Sequence, residues 1–130
     1  MSSMNRTIEG EVLVHHLSQE ELIIDRELLA ARGRTSRTIV KEGPLRVVLM
    51  ALSSGGDLPL HSTEEPVQIH VTDGAIVFHA AGNDYSLVKG DILVFAAGVE
   101  HSADSQDGCV FLLTVVRTAS DSGSHVDALP

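Results

Sequence analysis

A chain of 130 residues is long enough to bury one proper core without disulfides or structural metal, and short of what two domains need. A net charge of −9 and an aromatic fraction of 3%, with no Trp, exclude the phosphate-neutralising and base-stacking surfaces of nucleic-acid binders. The lone cysteine, Cys109, excludes an internal disulfide and a cysteine-rich metal site. The charge is uneven: residues 1–46 balance seven basic against seven acidic side chains, while residues 47–130 set Lys89 and Arg117 against eleven acids.

The opening MSSMNRTIEGE lacks the apolar core of a signal peptide. The longest apolar run, Cys109 to Val116, is too short to span a bilayer, so a cytoplasmic protein is expected. Ile8 to Val14 alternates as a short strand or extended arm would. Ser18 and Glu21 form a capping box bracketed by Leu17 and Leu22. Leu22, Ile23, Leu29 and Ala30 follow at helical spacing, and Gly33 is placed to end that helix. The helix is expected to cover an open sheet edge or to touch a second copy.

Everything after Gly33 reads as strands and turns. Arg37 to Lys41 alternates, and Glu42-Gly43-Pro44 turns. Leu45 to Leu52 is apolar at nearly every position, as in a strand buried on both faces. Ser53 to Asp57 reads as a small-residue loop. Val67 to Val71 places Val67, Ile69 and Val71 on one face, with Gln68 and His70 on the other. Asp73-Gly74 is the strongest hairpin signal, with Ala75 to Ala80 as the returning strand. Gly82-Asn83-Asp84 turns again, and Tyr85 to Val88, Ile92 to Phe95 and Cys109 to Arg117 follow as strands. This is an all-β pattern, a sandwich or an antiparallel β-barrel behind a short N-terminal helix. Its expected divisions are residues 1–36 (arm and helix), 37–117 (barrel) and 118–130 (a disordered tail rich in Ser, Asp and Gly).

Seven histidines invite a metal hypothesis. His15, His16 and His125 read as solvated, and His70 falls on the polar face of its strand. His61 and His101, forty residues apart, each sit where a strand begins or ends, and a barrel can bring such positions to one mouth. A catalytic metal wants about three protein ligands drawn from imidazole and carboxylate. Cys109 lies in an apolar run with no basic neighbour and reads as a small hydrophobe.

Gly55, His61 and Gly74, then Gly90, Gly98 and His101 within GDILVFAAGVEH (90–101), resemble the two motifs of the cupin superfamily. The resemblance covers about residues 55–105. It implies a six- to eight-stranded antiparallel barrel, also called a double-stranded β-helix, a small-molecule pocket, and a homodimer. The apolar positions on both faces of Leu45 to Leu52 point to the same dimer. The resemblance also implies one divalent metal (Fe, Mn, Ni or Zn) on His61 and His101, with metal-dependent oxygenase or isomerase chemistry. Thr63, Val67, Ala96 and Ser105 stand where the motifs carry His, Glu, Pro and Asn. A third ligand is therefore sought in Glu65 or His79. The expected pocket lining is Thr63, Val67, Ile69, Phe78, Val94 and Phe95. The rival readings are a metal-free ligand-binding or sensing module and a structural dimer with a vestigial pocket. The expected partners are a small-molecule ligand and a second copy, with no nucleic acid and no membrane.

Overall fold

The computed structural model describes residues 11–117 apart from Ile23; the expected tail and the start of the arm lie outside them. Two short helices, α1 (Leu17–Leu22) and α2 (Arg26–Arg32), precede eight strands. These are β1 (Arg34–Glu42), β2 (Leu45–Leu52), β3 (Gly56–His61), β4 (Val67–Ala80), β5 (Asn83–Val88), β6 (Ile92–Phe95), β7 (His101–Ser105) and β8 (Cys109–Val116). Among the described residues no helix is long and apolar enough to cross a membrane.

One expected helix is thus two. The N–H groups of Gln19 and Glu20 bond to the His16 carbonyl, so α1 starts before Ser18, and Glu21 does not close a capping box. Its carboxylate instead accepts from the Thr72 hydroxyl (2.9 Å) on the sheet. Asp25 restarts the helix by accepting from the Leu28 N–H (2.9 Å), as an N-cap does. Gly33 ends α2 as expected, in the left-handed conformation, with its N–H on the Leu29 carbonyl. Residues 11–16 form no strand, and Val12 and Val14 are exposed.

Asp73-Gly74 is not a hairpin turn. Val67 to Ala80 is one 14-residue strand. Its first half pairs with β6 and β8, its second half with β5 and β7. The register slips between Val71 and Asp73, and Gly74 takes φ +77°. This is a bulge at which the chain leaves one sheet for the other. The slip reverses facing: Val67, Ile69 and Val71 point inward before it, Ile76, Phe78 and Ala80 after it. A Cβ on Gly74 would strike the Gly108 carbonyl oxygen, which is why glycine stands there.

The true turn is Ala81-Gly82, joining β4 to β5 with Ala80 opposite Asn83. Both turn residues have positive φ (54° and 80°), as a type I′ hairpin requires. β3 and β7, read from sequence as loop and strand ends, are strands that pair antiparallel at one side of the barrel. β3 carries Pro59 and starts in small residues, which hid it from a pattern search.

The two faces of β2 serve two cores. Val48, Met50 and Leu52 join the barrel interior with Phe78, Phe111 and Val115. Leu49 and Ala51 pack outward with Leu29, Ile39 and Val110, and Leu17 and Ile24 close over them. The helices therefore cover a sheet face, where the covering of an open edge was one expectation.

Gly74→Ala is expected to cost about 3 kcal/mol or more in urea unfolding, because backbone strain of roughly 1–2 kcal/mol is joined by a clash with main chain. Gly82→Ala, with open space at its Cβ, should cost only the strain. Ala81→Asn, which completes the favoured Asn-Gly turn, should raise stability by about 0.5–1 kcal/mol in the same assay.

Candidate functional site

His61 and His101 face each other as register partners on β3 and β7. Their ring centroids are 4.3 Å apart, edge to face. Each ring donates its Nδ1–H to a carbonyl two residues earlier: His61 to Pro59 (2.8 Å), His101 to Val99 (3.0 Å). A carbonyl only accepts, so in each neutral ring the basic nitrogen is Nε2. His101 is 2% exposed. Its Phe95 neighbour stacks face to face at 4.2 Å, with Phe78 tilted at 6.2 Å. Burial lowers the His101 pKa against the opposing bond to Val99, and the nearby His61 lowers it further.

All three phenylalanines of the chain fill the space beside this pair. Phe78 meets Phe95 at 5.6 Å and Phe111 at 6.1 Å, both edge to face. Val67, Ile69, Phe78 and Phe95 are buried in the barrel, and Thr63 is buried beside it. Val94 lines an outer slot and not the barrel interior: β6 turns it outward, 60% exposed, because Phe95 takes the inward position.

The pair does not gain a third ligand. The Thr63 hydroxyl donates to the Glu65 carbonyl (2.8 Å). Val67 offers no donor atom and is paired with Phe95 across the sheet. His79 points out of the barrel, since the bulge at Gly74 puts Phe78 and Ala80 on the inner face. Among the described residues no group of three His, Cys, Asp or Glu could hold a metal ion. Two imidazoles beside phenyl rings do not fit the three- or four-ligand set that a resident metal requires.

His79 has a different role. Nδ1 bonds Asp84 of β5 and Nε2 bonds Asp104 of β7, each at 2.7 Å. Carboxylates accept, so both ring nitrogens donate and the ring is an imidazolium. The bond to Asp84, then that to Asp104, raises its pKa. Cys109 is buried, and burial pushes its thiol up to about 11, which leaves it inert at neutral pH.

Two openings lie at the His61–His101 end. An open groove of about 830 Å³ runs over Leu60, Ser62, His79, Asn83, Asp84 and Glu100. A smaller slot of about 220 Å³ enters between β5 and β6, past Tyr85, Leu93, Val94 and Phe95. Groove and slot share Ala80, Ala81 and Val99. Sequence reasoning missed these residues, because small side chains in a turn carry no chemical signature. Val99 is also the residue whose carbonyl orients His101.

The fold has many counterparts among solved structures. This chain has the cupin fold. An RmlC-like cupin from Desulfovibrio desulfuricans aligns with TM-score 0.68 at 20% identity, over 82% of this chain and 97% of its own. A cupin superfamily protein from Desulfitobacterium hafniense aligns with TM-score 0.63 at 14% identity, over 65% and 78%. A protein of unknown function from Streptococcus pyogenes covers more: 92% of this chain and 98% of its own, with TM-score 0.68 at 24% identity. No family model and no curated protein matches the sequence.

The two perturbed histidines of this cupin fold have opposite linkage. The His79 pKa is raised, so its contribution to stability is full below the unfolded value of 6.5 and is lost as pH rises through the raised value. The His101 pKa is lowered, so stability is lost as pH falls below 6.5 towards the depressed value. Thermal melts between about pH 5 and 9 should show His79→Gln flattening the alkaline limb of the stability curve. His101→Gln should flatten the acid limb. A His79 ring found by NMR to titrate below 6.5 contradicts the first assignment.

Proposed function

We propose that this cupin-fold protein binds a small organic molecule at the barrel mouth without a resident metal. The observation that carries this reading is the meeting of a polar groove and an apolar slot at Ala80, Ala81 and Val99. Asp84, Glu100 and Asn83 make the groove a bank of acceptors, while Tyr85, Leu93 and Phe95 make the slot apolar. The His79 cation is already shared by Asp84 and Asp104, so it does not attract an anion. The matching ligand is neutral or cationic at one end (a polyol or an amine) and apolar at the other. Val99, which lines both openings, is also the residue whose carbonyl holds the buried His101 ring behind them. The reading requires binding alone and assigns no reaction.

The rival with structural support is a scaffold with a vestigial pocket, which draws on the phenyl rings that fill the interior. A thermal-shift panel of polyols, amines and aromatic alcohols, run in excess EDTA on protein purified without an affinity tag, separates the two. A ligand at a hundred times its Kd should add about 2.7 kcal/mol of stability. Tyr85→Ala and Glu100→Gln should each weaken that gain at least several-fold. Stabilisation abolished by EDTA, or Fe, Mn, Ni or Zn near one equivalent in the purified protein, overturns the metal-free reading. A panel without a hit favours the scaffold.

A further inference from the structure

The groove at the barrel mouth has a proton built into its wall. His79 projects from the outer face of β4 between two neighbours. Asp84 of β5 is its register partner on one side, and Asp104 of β7, opposite Val77, stands diagonally across on the other. Both carboxylates accept from the ring at 2.7 Å, which the ring can satisfy only while it holds two protons. His79 and Asp84 line the groove, together with Glu100 from the segment between β6 and β7. On β3, Asp57 lies opposite Asp104, with Arg34 3.9 Å from its carboxylate. β4 itself adds no charge to this face, where Ala75 and Val77 precede His79. The imidazolium is thus the one cation in the groove lining, set against the acids Asp84 and Glu100.

Loss of one proton remakes this wall. A neutral imidazole donates from a single nitrogen, so it keeps one carboxylate and turns a lone pair towards the other. The two aspartates are then left without a cation between them, and the groove gains a negative charge that a ligand can meet.

We infer that the groove takes a cationic ligand, an ammonium group bearing an apolar substituent, and that this cation competes with the His79 proton for the Asp84 carboxylate. This narrows the ligand class of the binding site proposed above, on which it rests. The Asp84 side chain is 73% exposed, so an ammonium reaches it from solvent while the imidazolium holds it from the sheet. The apolar substituent enters the slot that joins the groove at Ala80, Ala81 and Val99. A polyol offers hydrogen bonds alone and has no stake in the proton. Competition is reciprocal: the factor by which the proton weakens the cation is the factor by which the cation weakens the proton. The two carboxylates hold the His79 pKa above 6.5, so affinity for a cation should increase as pH rises through that raised value.

The test is calorimetric titration of the full chain in dilute buffer, where charge interactions are least screened. The probes are benzyltrimethylammonium, whose charge does not change with pH, and benzyl alcohol, which is neutral. Between about pH 6 and about pH 9 the cation should gain about five-fold or more in affinity, and the alcohol should gain nothing. His79→Gln, which never carries the charge, should hold the tighter affinity at both pH values. His79→Arg, which never loses it, should hold the weaker one. Opposite outcomes from two substitutions at one position remove misfolding as their common cause. In NMR titrations, saturating benzyltrimethylammonium should lower the His79 midpoint by the logarithm of the same factor. Cation affinity equal at both pH values overturns the inference, as does a pH dependence that survives His79→Gln; binding of benzyl alcohol then leaves the proposed site standing. Binding of neither probe overturns both.

Discussion

The fold depends on one backbone event, the crossing of β4 from one sheet to the other at Gly74. Up to Val71 the strand shares its hydrogen bonds with β6 and β8; from Ala75 it shares them with β5 and β7. The crossing needs a residue with positive φ whose α-carbon can sit against the Gly108 carbonyl, and only glycine satisfies both demands. Because the bulge shifts the alternation by one residue, it also decides which histidine faces where. His70 and His79 lie outside on either side of it, and Phe78 goes in.

The interior that results has little room for chemistry. Phe95 stacks on His101, Phe78 packs against both, Phe111 packs behind Phe78, and the ring pair at the mouth is held by backbone carbonyls. Such second contacts orient imidazoles firmly whether or not a metal is present. The positions from which further ligands were sought hold a buried valine and a threonine already bonded to the Glu65 carbonyl. The usable space has moved outward, to the groove and slot around Ala80, Ala81 and Val99.

The sheet that carries the helices has three zones. Its inner face closes the barrel, half of its outer face receives the helices, and the other half, which mixes Ile92, Val94 and Val116 with Gln68, His70 and Glu42, lies beyond them. The helix layer is fastened by polar contacts as well as by Leu29: Glu20 joins Arg37 and His15, and Glu21 joins Thr72. Acidic side chains gather elsewhere. Asp84 and Asp104 are held together by the imidazolium of His79.

Much of this was legible in the residues. Short apolar runs bounded by turn residues gave β2, β6 and β8 nearly to the residue, β2 and β8 because a strand packed on both faces is apolar at almost every position. Gly33 marked the end of α2, because a left-handed cap favours glycine. The spacing of His61 and His101 among turn glycines marked the fold and one mouth of the barrel. Three things were decided only by the packed chain. Asp73-Gly74 carries the same local signal whether it turns or bulges, and the partner strands β7 and β8 select the bulge. Ala81 has no sequence mark for positive φ, and it adopts one because Gly82 and the β4–β5 pairing close the turn around it. The facing of His79 and Val94 follows from that bulge and from Phe95 taking the inward place, and alternation within one strand does not register a slip made in three dimensions.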